Sequence, residues 1–229
     1  LAFLIEYMDD TLKTPEDINR HLGLPVLGLI GGMGKRNGSN GVYVSEKPLS
    51  QIAEAFRNLR TNLEFASLEK PIKILQVTSA GPGEGKSTVA ANLAAVIAQG
   101  ERSVLLLDAD LRRPVIHRLL GITNNQGLID LLRNPAVFDS IVTEWGTPPA
   151  RAITSGELPP NPTELLASTR MDTVLNNLRE KADIVIIDTA PTIITDPIVI
   201  SAKVDGGLVV IEPGKTKIGA AQVMMEQRQ

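Results

Sequence analysis

The stretch TSAGPGEGKSTVAANLA (residues 78–94) decides the fold. Three glycines and a proline come first, then a lysine and two hydroxyl residues, then a mostly apolar run. A loop that wraps a polyphosphate must turn successive backbone N–H groups inward, so its side chains have to be small or absent. The helix that follows then presents its N-terminus to the anion. Ala80 stands where the first glycine often does, and four residues later come Gly85, Lys86 and Ser87, the spacing of a nucleotide phosphate loop. Gly81, Gly83, Glu84 and Gly85 are expected to line the nucleotide phosphates. Lys86 would neutralise β/γ oxygens, Ser87 would ligate magnesium, and Thr88 would reach the α-phosphate. The motif requires a strand before it and a helix after it. IKILQVTS (72–79) supplies the strand, and residues 87–99, ended by Gly100, supply the helix.

Outward from this loop the chain alternates. SVLLLDAD (103–110), DIVIIDTAP (183–191) and GGLVVIEP (206–213) read as further strands, each nearly continuous in apolar residues. Helices are expected between them, over 196–202 and from 217 to the end. GELPPNPTELL (156–166) is a proline-rich loop that holds a helix start at Asn161-Pro162-Thr163-Glu164. Such a pattern predicts an α/β fold, a doubly wound and mostly parallel sheet with helices on both faces. Ligands then bind along the edge formed by the strand C-termini. Upstream, TPEDINRHLG (14–23) is a helix with Thr14 as cap, Pro15 in the first turn and Gly23 as stop. LPVLGLI (24–30) reads as a short strand, and residues 31–41 as a linker rich in glycine and asparagine. LSQIAEAFRNLRTNLEFAS (49–67) is an amphipathic helix. Ile52, Phe56, Leu59 and Leu63 share one stripe, Glu54 and Arg57 lie on the far face, and Arg60 at its border. The domain plan is a membrane-proximal segment (1–30), a linker (31–48) and a phosphate-loop domain (49–229).

Two acidic motifs join the loop on the ligand edge. In VLLLDADLRRP (104–114), Asp108 and Asp110 end a buried strand, where two carboxylates need a cation. Magnesium suits them, since it binds few carboxylates together with phosphate oxygens and water. A carboxylate beside the γ-phosphate can also take a proton from an attacking hydroxyl. In DIVIIDTAP, Asp188 follows four apolar residues as the magnesium-side acid of an ATPase does. The three motifs together predict a site for ATP with magnesium.

Composition narrows the alternatives. The 229 residues carry 23 Lys+Arg against 26 Asp+Glu, a net charge of −3 that gives no electrostatic footprint for nucleic acid. With no cysteine there is neither a disulfide framework nor a thiolate metal site. Aromatics are 3% of the chain and apolar residues 43%, so the core must be aliphatic. The opening LAFLIEYMDD is too short to span a bilayer, which takes about 20 apolar residues. It reads either as a helix start or as the cytoplasmic end of a transmembrane helix. His21 and His117 lack a third ligand in view and read as surface residues. Trp145, in a loop-like stretch, reads as local packing.

The motifs SAGPGEGKST, LLLDADLRRP and VIIDTAP resemble the three Walker motifs of bacterial tyrosine kinases, the cytoplasmic domains of polysaccharide co-polymerases that control capsule and exopolysaccharide chain length. EAFRNLR (54–60) is similar to the family's Glu-x-x-Arg-x-x-Arg helix, which mediates ring-like self-association. GLIDLL, GELPPNPTELL and residues 4–30 resemble family segments as well, the last one the stretch between the second transmembrane helix and the kinase domain. The resemblance implies that Lys86 and Thr88 bind phosphates. It implies that Ser87, Asp110 and Asp188 hold magnesium directly or through water, that Asp108, counted with them among the metal residues, is the base for the acceptor tyrosine, and that Arg112 positions the γ-phosphate or a neighbouring subunit. Glu54, Arg57 and Arg60 would be interface residues. Implied partners are further copies of the chain, a membrane-spanning part on the same or another polypeptide, a tyrosine phosphatase and the polysaccharide export machinery, at the cytoplasmic face of the bacterial inner membrane. No nucleic acid is implied.

The family's tyrosine-rich tail has no counterpart here. The tyrosines are Tyr7 and Tyr43, and the chain stops in a helix, which reads as a fragment lacking the tail. Two other readings stand beside the kinase. One is a nucleotide-dependent switch of the partition and septum-placement type, whose loop carries a second lysine where this chain has Gly81. The other is a pseudo-kinase scaffold in which ATP only sets assembly.

Overall fold

The computed structural model describes residues 10–33 and 42–226. Six strands form one sheet among the described residues: β1 (Ile74–Ser79), β2 (Val104–Asp108), β3 (Thr143–Trp145), β4 (Ala150–Ile153), β5 (Ile184–Asp188) and β6 (Gly206–Val210). Their order is β3-β4-β2-β5-β1-β6, parallel throughout except for the antiparallel β3–β4 pair. Upstream of the sheet lie α1 (Pro15–Leu22), α2 (Tyr43–Glu46) and α3 (Gln51–Ala66). Around and between the strands run α4 (Lys86–Gln99), α5 (Ile116–Leu120), α6 (Leu128–Arg133), α7 (Phe138–Ile141), α8 (Pro162–Ala167), α9 (Thr169–Lys181), α10 (Asp196–Ser201) and α11 (Ile218–Glu226).

Alternation within the central strands feeds two cores. Leu75, Val77, Leu106, Ile184 and Ile186 face α3 and α4. Ile74, Leu105, Leu107, Val185 and Ile187 face the other way, onto α6, α9 and α10. Because both faces are covered, these strands read as unbroken apolar runs. Helix α4 is buried around almost its whole circumference, and its five alanines let it lie close to the sheet. A third, smaller cluster joins Leu12 and Leu22 to Ala221, Ile211 and Ile218. Residues 10–22 are therefore packed on α11 and the loop before it, with Leu12 N–H donating to Thr216 O and Ile218 N–H to Asp10 O. Helix α1 has the expected punctuation: Thr14 and Asp17 form a reciprocal capping box, and Gly23 closes the helix at φ 64°.

Several sequence expectations need correction. Residues 24–30 form no strand. They run along α3, where Asn62 Nδ2 donates to Leu27 O at 2.8 Å, and a Cβ on Gly28 would sit 3.4 Å from Leu59 Cβ. A side of a helix offers no ladder of backbone groups, so β-type composition alone makes no strand there. Trp145 is not in a loop but ends edge strand β3, buried, with its indole N–H unpartnered. Strands β3 and β4 have only three and four residues and leave almost no periodic signal. Helix α2 falls within the expected linker. Val42 and Val44 are buried there, and Val44 N–H donates to Asn92 Oδ1 of α4 at 3.0 Å. The rest of the linker, 34–41, and the expected membrane-proximal start, 1–9, lie outside the described residues. Among the described residues no helix is long and apolar enough to cross a membrane.

Strand order positions the site. β2, β5 and β1 are neighbours, so the three motifs at their C-terminal ends meet on one edge. Asp108 is in register with Asp188, and Val77 with Asp188 on its other side.

Candidate active site

The loop after β1 depends on two glycines. Gly83 and Gly85 have φ of 74° and 88°, which side chains with a Cβ adopt only under strain. Gly85 is also the N-cap of α4, so the helix begins at Lys86 with its first N–H groups directed at the loop. The Glu84 side chain turns away from that cradle and holds it in place. Its Oε2 accepts from Gly81 N–H at 3.1 Å, and its Oε1 accepts from Thr216 Oγ1 at 2.7 Å. Lys215 adds a second tie, donating to Gly83 O at 2.7 Å and to Glu212 Oε2 at 2.7 Å. Glu84, expected among the phosphate-binding residues, thus contributes backbone to the loop while its carboxylate anchors it. The two anchors beyond β6, Lys215 and Thr216, gave no signal in the sequence, for they lie about 130 residues downstream of the loop.

Lys86 sits between an acid in the turn after β2 and one at the end of β5. Its Nζ is 2.8 Å from Asp110 Oδ2 and 3.6 Å from Asp188 Oδ1, and it donates to Ser87 Oγ at 3.1 Å. Burial works to lower the Lys86 pKa, but Asp188 and Asp110 outweigh it and the net direction is up. Asp188 is wholly buried at the end of β5. Burial pushes its pKa up to about 6, even though Lys86 and the Ser87 hydroxyl favour the charged form. Neither of its oxygens has a hydrogen-bond partner of good geometry. A buried carboxylate with free lone pairs, beside a hydroxyl and a second acid, fits a hard divalent cation that completes its shell with phosphate oxygens and water. No group of three or more His, Cys, Asp or Glu gathers into an all-protein metal cage among the described residues.

Strand β2 ends at Asp108, so Asp110 belongs to the turn beyond it. Asp108 Oδ1 accepts from Asp110 N–H at 3.2 Å and Oδ2 from Ile116 N–H at 3.1 Å. Burial, then the charge of Asp188, push its pKa well above the usual carboxylate range. Asp110 Oδ1 accepts from the N–H groups of Arg112 at 3.3 Å and Arg113 at 2.9 Å, which leaves Oδ2 for Lys86. The Arg112 side chain pairs outside the Lys86 cluster. Its Nε and Nη2 grip Asp196 at 2.7 and 3.1 Å, and Nη2 also reaches Thr163 Oγ1 at 3.1 Å. The sequence marks neither Asp196 nor Thr163 as a site residue. Each stands in an ordinary-looking helix start, and nothing local marks either as a partner of Arg112.

Thr88 lies on the first turn of α4, where its carbonyl accepts from Asn92 Nδ2 at 2.8 Å. The expected interface residues occupy α3. Arg57 Nε pairs with Glu54 Oε2 at 2.8 Å, and Arg57 Nη1 donates to Pro48 O at 3.1 Å. Arg60 instead turns inward and donates to Val96 O in the last turn of α4 at 2.8 Å. His117 is half-buried with Nδ1 unpartnered, its pKa lowered by burial and by Arg118.

A phosphate loop, its lysine and acids on the two adjoining strand ends make this the nucleotide site of a P-loop NTPase. Residues 71–142 match the family profile described as "ParA: NUBPL iron-transfer P-loop NTPase". Tyrosine-protein kinase YwqD of Bacillus subtilis (strain 168) is 40% identical over 185 residues, covering 80% of this chain and 78% of that protein. The putative tyrosine-protein kinase CapB of Staphylococcus aureus is 36% identical over 182 residues, 79% of this chain and 80% of that one. The solved kinase domain of Escherichia coli tyrosine kinase ETK has a TM-score of 0.86 at 32% identity, over 95% of this chain and 89% of that domain. The chain belongs to the bacterial tyrosine kinases and matches a kinase domain of that family over nearly its whole length. That likeness favours the kinase over a partition-type switch.

Proposed function

We propose that this domain transfers the γ-phosphoryl group of Mg·ATP to tyrosine side chains of neighbouring copies and so regulates capsule or exopolysaccharide chain length. The observation that carries the reading is Lys86 Nζ between Asp110 and Asp188, 2.8 and 3.6 Å away, at the mouth of the phosphate loop. Gly83, Glu84 and Gly85 would offer backbone N–H groups to the phosphates, whereas Gly81, expected among them, has its N–H taken by Glu84 Oε2; Thr88 stands on the following turn. Ser87, Asp110 and Asp188 would hold magnesium, with Asp108 beside them. Bound there, magnesium would neutralise charge on the β- and γ-phosphates.

The acceptor tyrosine oxygen bonds to the γ-phosphorus, the bond to the bridging oxygen breaks, and ADP leaves. Asp108 takes the phenolic proton. Burial and the charge of Asp188 raise its pKa, and a raised pKa makes a carboxylate a stronger base. Arg112 Nη1 has no protein partner among the described residues and stays available to an anionic group. Assembly into a ring would run through α3, with Glu54 and Arg57 at the contact, and Arg60 fixing the helix to α4. The resemblance of residues 4–30 to a membrane-proximal segment supports a place at the cytoplasmic face of the inner membrane, beside a membrane-spanning part, a phosphatase and the export machinery.

The test is phosphotyrosine on a synthetic tyrosine-rich peptide supplied with Mg·ATP, read by mass spectrometry. The kinase predicts transfer. ATP hydrolysis by a fully assembled protein with no phosphotyrosine would instead mark a nucleotide switch.

A further inference from the structure

We propose that Asp196 and Thr163 are positioning residues for phosphoryl transfer: they clip Arg112, and with it the turn carrying Asp108 and Asp110, to the loop that leaves β5. The inference rests on the kinase reading above and adds two residues to it.

Asp196 opens α10, eight residues beyond Asp188, and is 1% exposed. A carboxylate buried to that degree needs donors on both oxygens. It finds them in one guanidinium, Nε at 2.7 Å and Nη2 at 3.1 Å, a two-pronged pairing that fixes orientation as well as distance. Thr163, in the first turn of α8, closes the cluster. Its hydroxyl donates to Asp196 Oδ1 at 2.5 Å and accepts from Arg112 Nη2 at 3.1 Å, which uses its donor and one lone pair. Burial raises the Asp196 pKa, but the bonds from Arg112 and Thr163 outweigh it and bring it below the usual value.

The consequence lies in what the clip connects. The turn after β2 is wound around Asp110, whose Oδ1 holds the N–H groups of Arg112 and Arg113 and whose Oδ2 meets Lys86. That turn is gripped from inside by Asp110 and from outside by Asp196. Asp188 ends the strand that leads to Asp196. The separation of the Asp110 and Asp188 carboxylates is therefore held at two points: by the β2–β5 register, and by Arg112 bridging the loops beyond it. Phosphoryl transfer relies on positioned charge more than on covalent chemistry, so a small drift of these acids is costly.

The experiment measures steady-state transfer from Mg·ATP to a tyrosine-rich peptide by the wild type, Asp196→Asn, Arg112→Lys, their double variant and Thr163→Val. Melting curves are recorded for each. Asp196→Asn and Arg112→Lys should each lower kcat about ten- to a hundredfold, with KM for ATP little changed. The double variant should be no worse than the lower single, since both remove one linkage. Thr163→Val leaves no charge unpaired, stays folded, and should show a smaller loss in the same direction. Should Asp196→Asn fail to fold, Arg112→Lys and Thr163→Val decide. Wild-type kcat in folded variants, or losses that multiply in the double, would overturn the clip. A wild type that makes no phosphotyrosine would refute the kinase reading instead, and kcat for ATP hydrolysis across the same five proteins would then decide the clip separately.

Discussion

Lys86 is the residue on which the proposed site turns, because its ammonium offsets two buried carboxylates at the end of the phosphate loop. Lys86→Met should abolish nucleotide use; undiminished ATP turnover in a folded variant would refute the assignment. Asp188 makes a pH-dependent claim. Its pKa is raised to about 6 from an ordinary 3.8, so burial favours the protonated form. Any stability gained this way is full below 3.8 and is lost as pH rises through about 6. Metal binding runs the other way, since the ligand is the deprotonated carboxylate. Calorimetry of Mg·ADP binding should show magnesium-dependent affinity falling as pH drops through about 6, and Asp188→Asn should flatten that slope. A wild-type affinity independent of pH across this window would contradict the role. Glu84 and Thr216 belong to the same scale. Thr216→Val removes one hydrogen bond to the loop anchor, worth about 1 kcal/mol, and should weaken nucleotide binding by up to about fivefold.

At the scale of the element, helix α3 carries a buried apolar stripe on one side and charged residues on the other. Its inner stripe holds Phe56, fully buried, so Phe56→Ala should cost about 3–5 kcal/mol in chemical denaturation. What the sequence disclosed of such elements followed the strength of their periodicity. Strands β1, β2 and β5 are buried on both faces, and their apolar runs announced them, as did the amphipathic pattern of α3. The phosphate loop and the acids at 108, 110 and 188 were legible because spacing and chemistry agreed. β3 and β4 were not, since three or four residues carry no period and their pairing is decided by distant neighbours. Residues 24–30 misled for the converse reason: their composition suits a strand, but Asn62 and Leu59 of α3 claim the segment. The Arg112–Asp196 pair spans 84 residues, and no local pattern could have joined them.

Across the whole molecule, the sheet order brings three separate motifs to one edge and leaves α3 outside the core sheet. An exposed helix with a Glu54–Arg57 pair suits a heterologous contact, in which one face meets a different one and the chain of contacts closes as a ring. Arg57→Ala should leave ATP binding intact and reduce assembly, as read by light scattering. An unchanged oligomer would remove Arg57 from the interface. Arg60→Ala differs in kind. It frees the Val96 carbonyl at the end of α4, so it should lower the melting temperature as well as assembly.

Whether the site phosphorylates tyrosine, and does so with Asp108, is decided most directly by one comparison. Wild type and Asp108→Asn are each incubated with Mg·ATP and a tyrosine-rich peptide, and phosphotyrosine is counted by mass spectrometry. Phosphotyrosine is expected with the wild type and its loss in the variant, with nucleotide still bound. Equal phosphotyrosine from both proteins would contradict the role of Asp108, and ATP consumed by the assembled wild type with no phosphotyrosine would contradict the kinase itself.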